Sequence, residues 1–509
     1  MNRLTRRSFL RSTAVAASTL AVGTYIRDAA AFSSQTPSAT PQVETSALED
    51  LRNRLNGTLM LPEDSGYLSA SAAANGRYLD IRPVAVARCA DETDVVTCVQ
   101  WCTENGVSPV PRGGGHSYAG FSTTNGLLID LRRLNSVQVD WKRATVTSGG
   151  ASLNADFFTA TENGPLFLPG GTCLGVGVGG LTLGGGIGYN AHWAGLTCDH
   201  MQGTRVVTAS GDILDVDSST NNDLYWACRG GTGGTFGINT SFTFDLVDVP
   251  ASVAYYRYEW SGAEAASAVL AAFDKLIQTA PAAFNGVAMA EATDVGDGSP
   301  EQAIHIMSRG QYIGPIDELR ELVEPLLDAA EPDVQTLVEM PFWDMQRMIA
   351  TPEPASHSFG DISRYSNKQL PESVVGDLVD LLVDCPHRTP DANGSIWSLG
   401  WVGGDVIGSF SRTETAYVHR DASTLLRPTT VWPNDAPASV ADELNAWTQS
   451  VIDVIAPHTP DESYQNFPNR SLTEWEEQYF AENAARLRDV KAKYDPDNLF
   501  SNPQSVRPS

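Results

Sequence analysis

Two glycine-rich segments hold the side chains with the strongest chemical promise. In PRGGGHSYAG, residues 111–120, three consecutive glycines lie between a strand-like run and His116. Glycine lets a backbone take positive φ and approach a ligand closely. The N–H groups of Gly113, Gly114 and Gly115 can point inward as an anion nest suited to a pyrophosphate, and Arg112 adds positive charge. The second segment is LPGGTCLGVGVGGLTLGGGIGYN, where ten of the nineteen residues from Gly170 to Gly188 are glycine and Cys173 sits among them. A stretch so poor in side chains cannot bury a core of its own, so it must lie against something flat and large. Gly175, Gly177 and Gly180 do spell GxGxxG, with Asp199 near the position of a ribose-binding acid. That fingerprint needs a helix opening at its third glycine. Gly184, Gly185, Gly186 and Gly188 would break one, at about 1 kcal/mol each relative to alanine. The Rossmann reading is set aside.

The elements around these segments alternate. PVAVARCA reads as a strand, and DETDVVTCVQWCTENG as a helix opened by an acidic cap and closed by Gly106. VSPVPRGGG is a strand entering the first glycine loop. GLLIDLRRL and SVQVDWKRATVTSGG follow as strands, and GTRVVTASGDILDV as a hairpin turning at Ser210-Gly211. After Pro250 the composition shifts. Amphipathic helices such as AEAASAVLAAFDKLIQTA and IDELRELVEPLLDAA interleave with β-rich stretches such as GSIWSLGWVGGDVIGSF. This pattern predicts an α+β layer with helices over one face of a sheet. Near the end, Ser471 and Glu474 form an S-x-x-E capping box that predicts one helix over SLTEWEEQYFAENAARLRDVKAKYD. Trp475, Tyr479 and Leu487 share a face, so that helix docks on something.

The 509 residues suggest two or three domains at roughly 150 residues each. A formal charge of -27 argues against nucleic acid and against an anionic membrane surface, which both demand basic patches. With five lysines against many arginines, the acidity fits a salty habitat or a GC-rich genome equally well. The seven cysteines form no disulfide framework, and Cys98 and Cys102 have no matching pair for a zinc site, so no metal is expected. Residues 3–10 read RLTRRSFL, followed by the mildly apolar STAVAASTLAVG and by Ala29-Ala30-Ala31. This resembles a twin-arginine signal peptide, residues 1–31, with small residues at its cleavage site. The run is too short and too rich in Ser, Thr and Ala for stable insertion in a bilayer, which takes about 20 apolar residues. The twin-arginine machinery exports folded proteins, often with a cofactor already inserted. Residues 32–45 read as a polar linker.

The GGHSY element, the Cys-x-x-Val-Gly-x-Gly-Gly element followed by GGGxG, and GLTCDH resemble the berberine bridge enzyme-like oxidases. So do DLYWACRGGTGGTFGI at 223–238, TETAYVHR at 413–420, YQNFPN, and the WEEQYF…YDPDNLFSNPQS tail, in the same order along the mature chain. The resemblance implies a two-domain α+β protein of the vanillyl-alcohol-oxidase type. Its PCMH-type FAD-binding domain would span 46–250, a substrate domain with an antiparallel sheet covered by helices would span 251–456, and residues 457–509 would return to the FAD domain.

It further implies FAD bound covalently twice, with His116 on the flavin 8α-methyl and Cys173 on C6, which would raise the flavin's potential. Expected flavin or pyrophosphate contacts are Arg112, Gly113, Gly114, Gly115, Ser117, Tyr118, Gly177, Gly179, Gly180, Thr182, Gly185, Gly188 and Ile238. Asp199 either serves the adenosine side or caps a turn. Val176, three residues past Cys173, is small enough to leave the flavin C4a open to dioxygen. Tyr464 matches a tyrosine over the flavin and is the candidate base; its ordinary pKa of about 10 would have to fall. Asn466 is the expected partner of the flavin edge. The chain departs from its relatives in carrying Leu181 where a histidine is common and Ile187 where GGGYG has tyrosine. The implied reaction is hydride transfer from an alcohol carbon of a small molecule, a sugar or a secondary metabolite, to FAD, with dioxygen as acceptor. A dehydrogenase with another acceptor and an oxidative cyclase are the rival activities.

Overall fold

The computed structural model describes residues 43–296, 298–352 and 356–509. The twin-arginine segment and nearly all of the linker lie outside them; the first helix, Thr45–Arg54, begins at the last residue expected in the linker. Residues Val43–Ser509 pack as one compact unit, but the strands before and after Pro250 sort into different sheets.

The first sheet has the spatial order Thr58–Met60, Ala85–Arg88, Leu127–Asp130, Pro109–Arg112. Its last three strands run parallel, and the middle ones are short apolar runs buried on both faces, as parallel strands require. Helix Glu92–Asn105 connects two of them and has both ends the sequence predicted. Asp91 accepts from the Asp94 N–H at 3.1 Å, and the chain turns out at Gly106, φ 64°. A second sheet is antiparallel, in the order Val137–Asp140, Thr145–Gly149, Ile238–Asp245, Met201–Val207, Ile213–Asp217. The last two strands are the expected hairpin.

The largest sheet is built from residues 252–432. Its order is Val334–Pro341, Ser252–Ser261, Ile304–Tyr312, Phe284–Ala292, Asn393–Leu399, Thr424–Trp432, Ser358–Asp361, with Arg364–Ser366 also on Thr424–Trp432. Every pairing in it is antiparallel. Helices Ala263–Ile277, Ile316–Ala329, Glu372–Val383 and Ala438–Ile455 cover one face through Phe273, Leu319, Leu378 and Val451. Alternation sends Val287, Leu399 and Leu425 to the other face, where they pack with Tyr189, Tyr417 and Tyr464. The mixed composition and the antiparallel sheet under helices are the α+β organisation read from the sequence.

The tail departs from the single capped helix. It forms Trp475–Phe480, a 3₁₀ turn at Ala481–Asn483, and Ala484–Tyr494. Ala481 takes φ 42°, which breaks the ladder, and the Ser471 hydroxyl bonds Asn469 at 2.6 Å instead of capping. The break lets both pieces dock: Tyr479, Phe480, Leu487 and Val490 all enter the core of the five-stranded sheet. Lys491 fastens the second piece. Its ammonium is fully buried and donates to Asp495 at 2.6 Å, to the Thr235 carbonyl at 2.7 Å and to the Phe500 carbonyl at 2.6 Å. Removing one partner of a buried ion pair leaves the other uncompensated. Lys491→Met should therefore cost about 3–5 kcal/mol, read as a fall in the urea midpoint of unfolding; an unchanged midpoint would show that the clamp carries no stability.

Candidate active site

The two glycine segments meet backbone to backbone. A Cβ on Gly114 would lie 2.4 Å from the Gly177 nitrogen, and one on Gly177 would lie 2.6 Å from the Gly114 nitrogen. No side chain can stand between them. They form one wall of a cavity of about 450 Å³, inside the roughly 300–1,000 Å³ typical of ligand clefts. The opposite wall is the open face of the large sheet, through Arg309, Trp397, Leu399 and Arg427. A wall of backbone opposite aromatic side chains fits a planar ring joined to a pyrophosphate, so the site suits the FAD that the sequence implies. Helix Val178–Leu183 forms after all within the glycine stretch, and it stops at Gly184, where the unbroken glycines begin.

Most of the expected residues line this one cavity: Gly113 to Tyr118, Cys173, Val176, Gly177, Gly179, Gly180, Gly188, Ile238, Tyr464 and Asn466. Leu181 and Ile187, the two departures, line it as well. Four expected contacts lie elsewhere. The Arg112 guanidinium turns away to the carbonyls of Ala70, Ser71, Ala72 and Ser122 at 2.8–3.0 Å. Burial draws its pKa down to about 10. Four carbonyls engage it fully, so it staples the loop and adds no charge to the nest. Thr182 donates its hydroxyl to the Val178 carbonyl at 2.7 Å, within its own helix. Gly185 abuts the Tyr417 ring. Asp199 accepts from the Leu196 N–H and from Arg420 at 2.8 and 2.9 Å, so of its two readings the structure has the turn cap. Ser117 lines the cavity, yet its hydroxyl oxygen accepts from the Phe121 N–H at 3.0 Å.

Tyr464 is buried, and its phenol oxygen receives the N–H groups of Gly186 at 3.2 Å and Ile187 at 3.3 Å and the Asn466 amide at 3.1 Å. Burial pushes the phenol up to about 12, while these donors pull the other way. Donors aimed at an oxygen favour its anion. Asn466 also donates to the Leu181 carbonyl at 2.9 Å, which fixes its amide against the glycine helix.

Around Tyr464 stands a polar cluster that the sequence reading did not pick out. Tyr365 and Tyr417 share a hydrogen bond of 2.8 Å, and the Tyr365 ring stacks on His419 at 4.2 Å. His419 Nδ1 lies 2.6 Å from Glu462, which also pairs with Arg412 at 2.6 Å. Burial raises the Glu462 carboxyl, but His419 and Arg412 outweigh it and hold the group down at about 2. Arg427 pairs with Asp361 at 2.6 Å and lies over the rings of Tyr118 and Phe467. Only TETAYVHR hinted at any of this, as a resemblance without roles. Arg309 and Trp397 gave no signal, because their strands read as ordinary sheet until the pairing is known.

Gly180 differs from Gly114. A Cβ there meets no protein atom within 4 Å and would project into open space on the cavity wall. Gly180→Ala should fold at least as stably as the parent, helped by the helix preference of alanine, yet hold less flavin per protein by absorbance. Gly114→Ala should lose both stability and flavin. Equal flavin occupancy in Gly180→Ala and the parent would place the cofactor off this wall.

The sequence and the fold both have relatives. Residues 83–217 match the family model for an FAD binding domain, and residues 463–507 match the one described as berberine and berberine like. The uncharacterized FAD-linked oxidoreductase YgaK of Bacillus subtilis is 30% identical over 90% of this chain and 98% of its own length. Glucooligosaccharide oxidase of Sarocladium strictum is 28% identical over 90% of this chain and 95% of its own. Among solved structures, a chitooligosaccharide oxidase superposes with a TM-score of 0.78 at 26% identity, covering 91% of this chain and all of the other. Berberine bridge enzyme from Eschscholzia californica shares the fold, with a TM-score of 0.80 at 22% identity, over 91% of this chain and 99% of its own. With an FAD-binding match in its first half, a berberine-like match at its end and a relative aligned along nearly its whole length, the chain belongs to the berberine bridge enzyme-like FAD-linked oxidoreductases.

Proposed function

We propose that the protein is an alcohol oxidase acting on a carbohydrate or carbohydrate-like hydroxyl, with FAD tethered through His116 and Cys173 and dioxygen as electron acceptor. The observation that carries this reading is the Tyr464 oxygen, with three N–H donors, in a cavity that His116 and Cys173 also line. Two similar proteins are named as oxidases of glucooligosaccharide and chitooligosaccharide, and the exposed edges of Trp397 and Trp401 offer apolar faces for sugar rings. When bound, FAD supplies the hydride acceptor and the means of passing the electrons to dioxygen, giving hydrogen peroxide. Val176 lines the cavity three residues from Cys173, and its small side chain supports access for oxygen.

The chain's own residues do the rest. Tyr464 takes the hydroxyl proton of the substrate. The N–H groups of Gly186 and Ile187 and the Asn466 amide stabilise the phenolate that accepts this proton, which offsets part of the cost of burial, and the transfer leaves Tyr464 a neutral phenol. The sheet above excludes water from the reacting carbon.

Because burial raises the phenol, the base is mostly protonated near neutrality, and kcat/KM should rise with pH toward about 12. Tyr464→Phe should flatten that rise and cost about 10²–10⁴-fold in rate, assayed as peroxide formed under air against a dye acceptor without oxygen. A rise that persists in the phenylalanine variant assigns the base elsewhere. Activity with the dye alone would make the protein a dehydrogenase.

The tethers are checked by mass spectrometry of acid-precipitated protein. Flavin mass should stay on the peptide in His116→Ala and in Cys173→Ala and disappear only when both are changed. The same reading takes RLTRRSFL as a twin-arginine export signal. In that spectrum, protein secreted by the producing cells should begin beyond Ala31.

A further inference from the structure

Among the described residues, several buried cations are paired, whereas one on the cavity wall has no counter-charge. Arg112 is engaged by four carbonyls, Arg420 by Asp199, Arg427 by Asp361, Arg364 by Asp461 and Lys491 by Asp495. Arg309 lines the same cavity, and its buried Nε has no hydrogen-bond acceptor among the described residues. No carboxylate there forms an ion pair with it.

Its position makes the missing anion more costly. Arg309 sits mid-strand in Ile304–Tyr312, directly opposite Arg257 on one neighbouring strand and Val287 on the other. Like charges opposed across a strand pair destabilise it. Arg257 relieves its own charge on Glu259 at 2.6 Å, whereas Arg309 has the neutral Tyr255 phenol as a hydrogen-bond partner and no carboxylate to balance its charge. Two further donors nearby also lack acceptors. The Trp401 indole N–H lines the cavity, and the Tyr189 hydroxyl lies just behind, its ring edge-on to Trp401 at 5.1 Å. Arg309 is close enough to both Tyr189 and Tyr255 to act on their phenols, which burial otherwise raises. Orphaned donors are costly in a folded interior, so a cluster of them beside a guanidinium points to an acceptor brought by the ligand. A carboxylate matches the planar guanidinium fork best.

We infer that the substrate carries a carboxylate that docks on Arg309 while its hydroxyl carbon faces the flavin, which makes the substrate class uronic acids and their oligomers. This rests on the oxidase reading above and narrows it. The acidic surface repels anions at long range, so recognition of the carboxylate depends on this one interior cation.

The test uses the holoenzyme with matched pairs of probes, D-glucuronate against D-glucose and D-galacturonate against D-galactose. It reads kcat/KM and the concentration at which each probe perturbs the flavin absorbance. The parent should favour the uronates by roughly 10- to 100-fold, the range expected for a hydrogen-bonded charge. Arg309→Met should lose that preference while still oxidising the neutral sugar, and Arg309→Lys should keep part of it. Equal binding of acid and neutral sugar by the parent, or a preference that survives in Arg309→Met, overturns the inference and leaves the oxidase reading standing. A parent that retains no flavin or oxidises neither class overturns the oxidase reading, and the inference falls with it. Flavin absorbance in each variant reports its folding. If the methionine variant has none, the parent and the lysine variant decide the matter.

Discussion

The contact of Gly114 with Gly177 is the constraint from which the rest of the site follows. Two loops well separated in the sequence of the FAD-binding half come together with only peptide atoms between them. Their surface offers N–H groups and almost no volume, so it makes a wall and cannot make a core. Selectivity has to come from somewhere else. On the oxidase proposed above it falls to the large sheet, whose face toward the cavity carries Arg309, Trp397 and Arg427 where the opposite face packs aliphatic and aromatic side chains under the helices.

The sequence announced the glycine wall because glycine clusters are rare and their purpose is local. Gly113 to Gly115 and Gly177 to Gly180 could be read as ligand-facing without knowing any contact. Capping was legible for the same reason, as at Asp91 and Gly106. Arg112 misled because a cation beside a glycine loop suggests an anion, whereas its guanidinium is engaged by four carbonyls of the segment 70–72 and Ser122, which no local pattern shows. The tail helix misled because a capping box is only a local preference. Docking of Tyr479 and Leu487 on the same core won at Ala481. Arg309 and Trp397 were hidden because their meaning depends on strand pairing between residues tens to hundreds of positions apart, and the role of His419 because its partners Tyr365 and Glu462 are brought to it only by the fold.

Burial also sets the electrostatic character of the site. The phenols of Tyr365, Tyr417 and Tyr464 are all pushed up by burial, so neutral rings surround the reacting position. Glu462 stays ionised beside them because His419 and Arg412 hold it. Charge near the site is therefore confined to paired groups and to Arg309. Tyr464 differs from its two neighbours in what faces its oxygen: they bond each other, while it receives donors alone.

Tyr464, Asn466, Phe467 and Gln504 complete a cavity whose two other walls come from residues up to Phe242 and from the large sheet up to Arg427. Translation delivers these closing residues after both walls. A polypeptide that lacks Tyr464 and the residues after it can have its glycine wall and its sheet but only an unclosed groove between them. A stop codon upstream of Tyr464 therefore yields a product without a closed binding chamber, however well its first half folds.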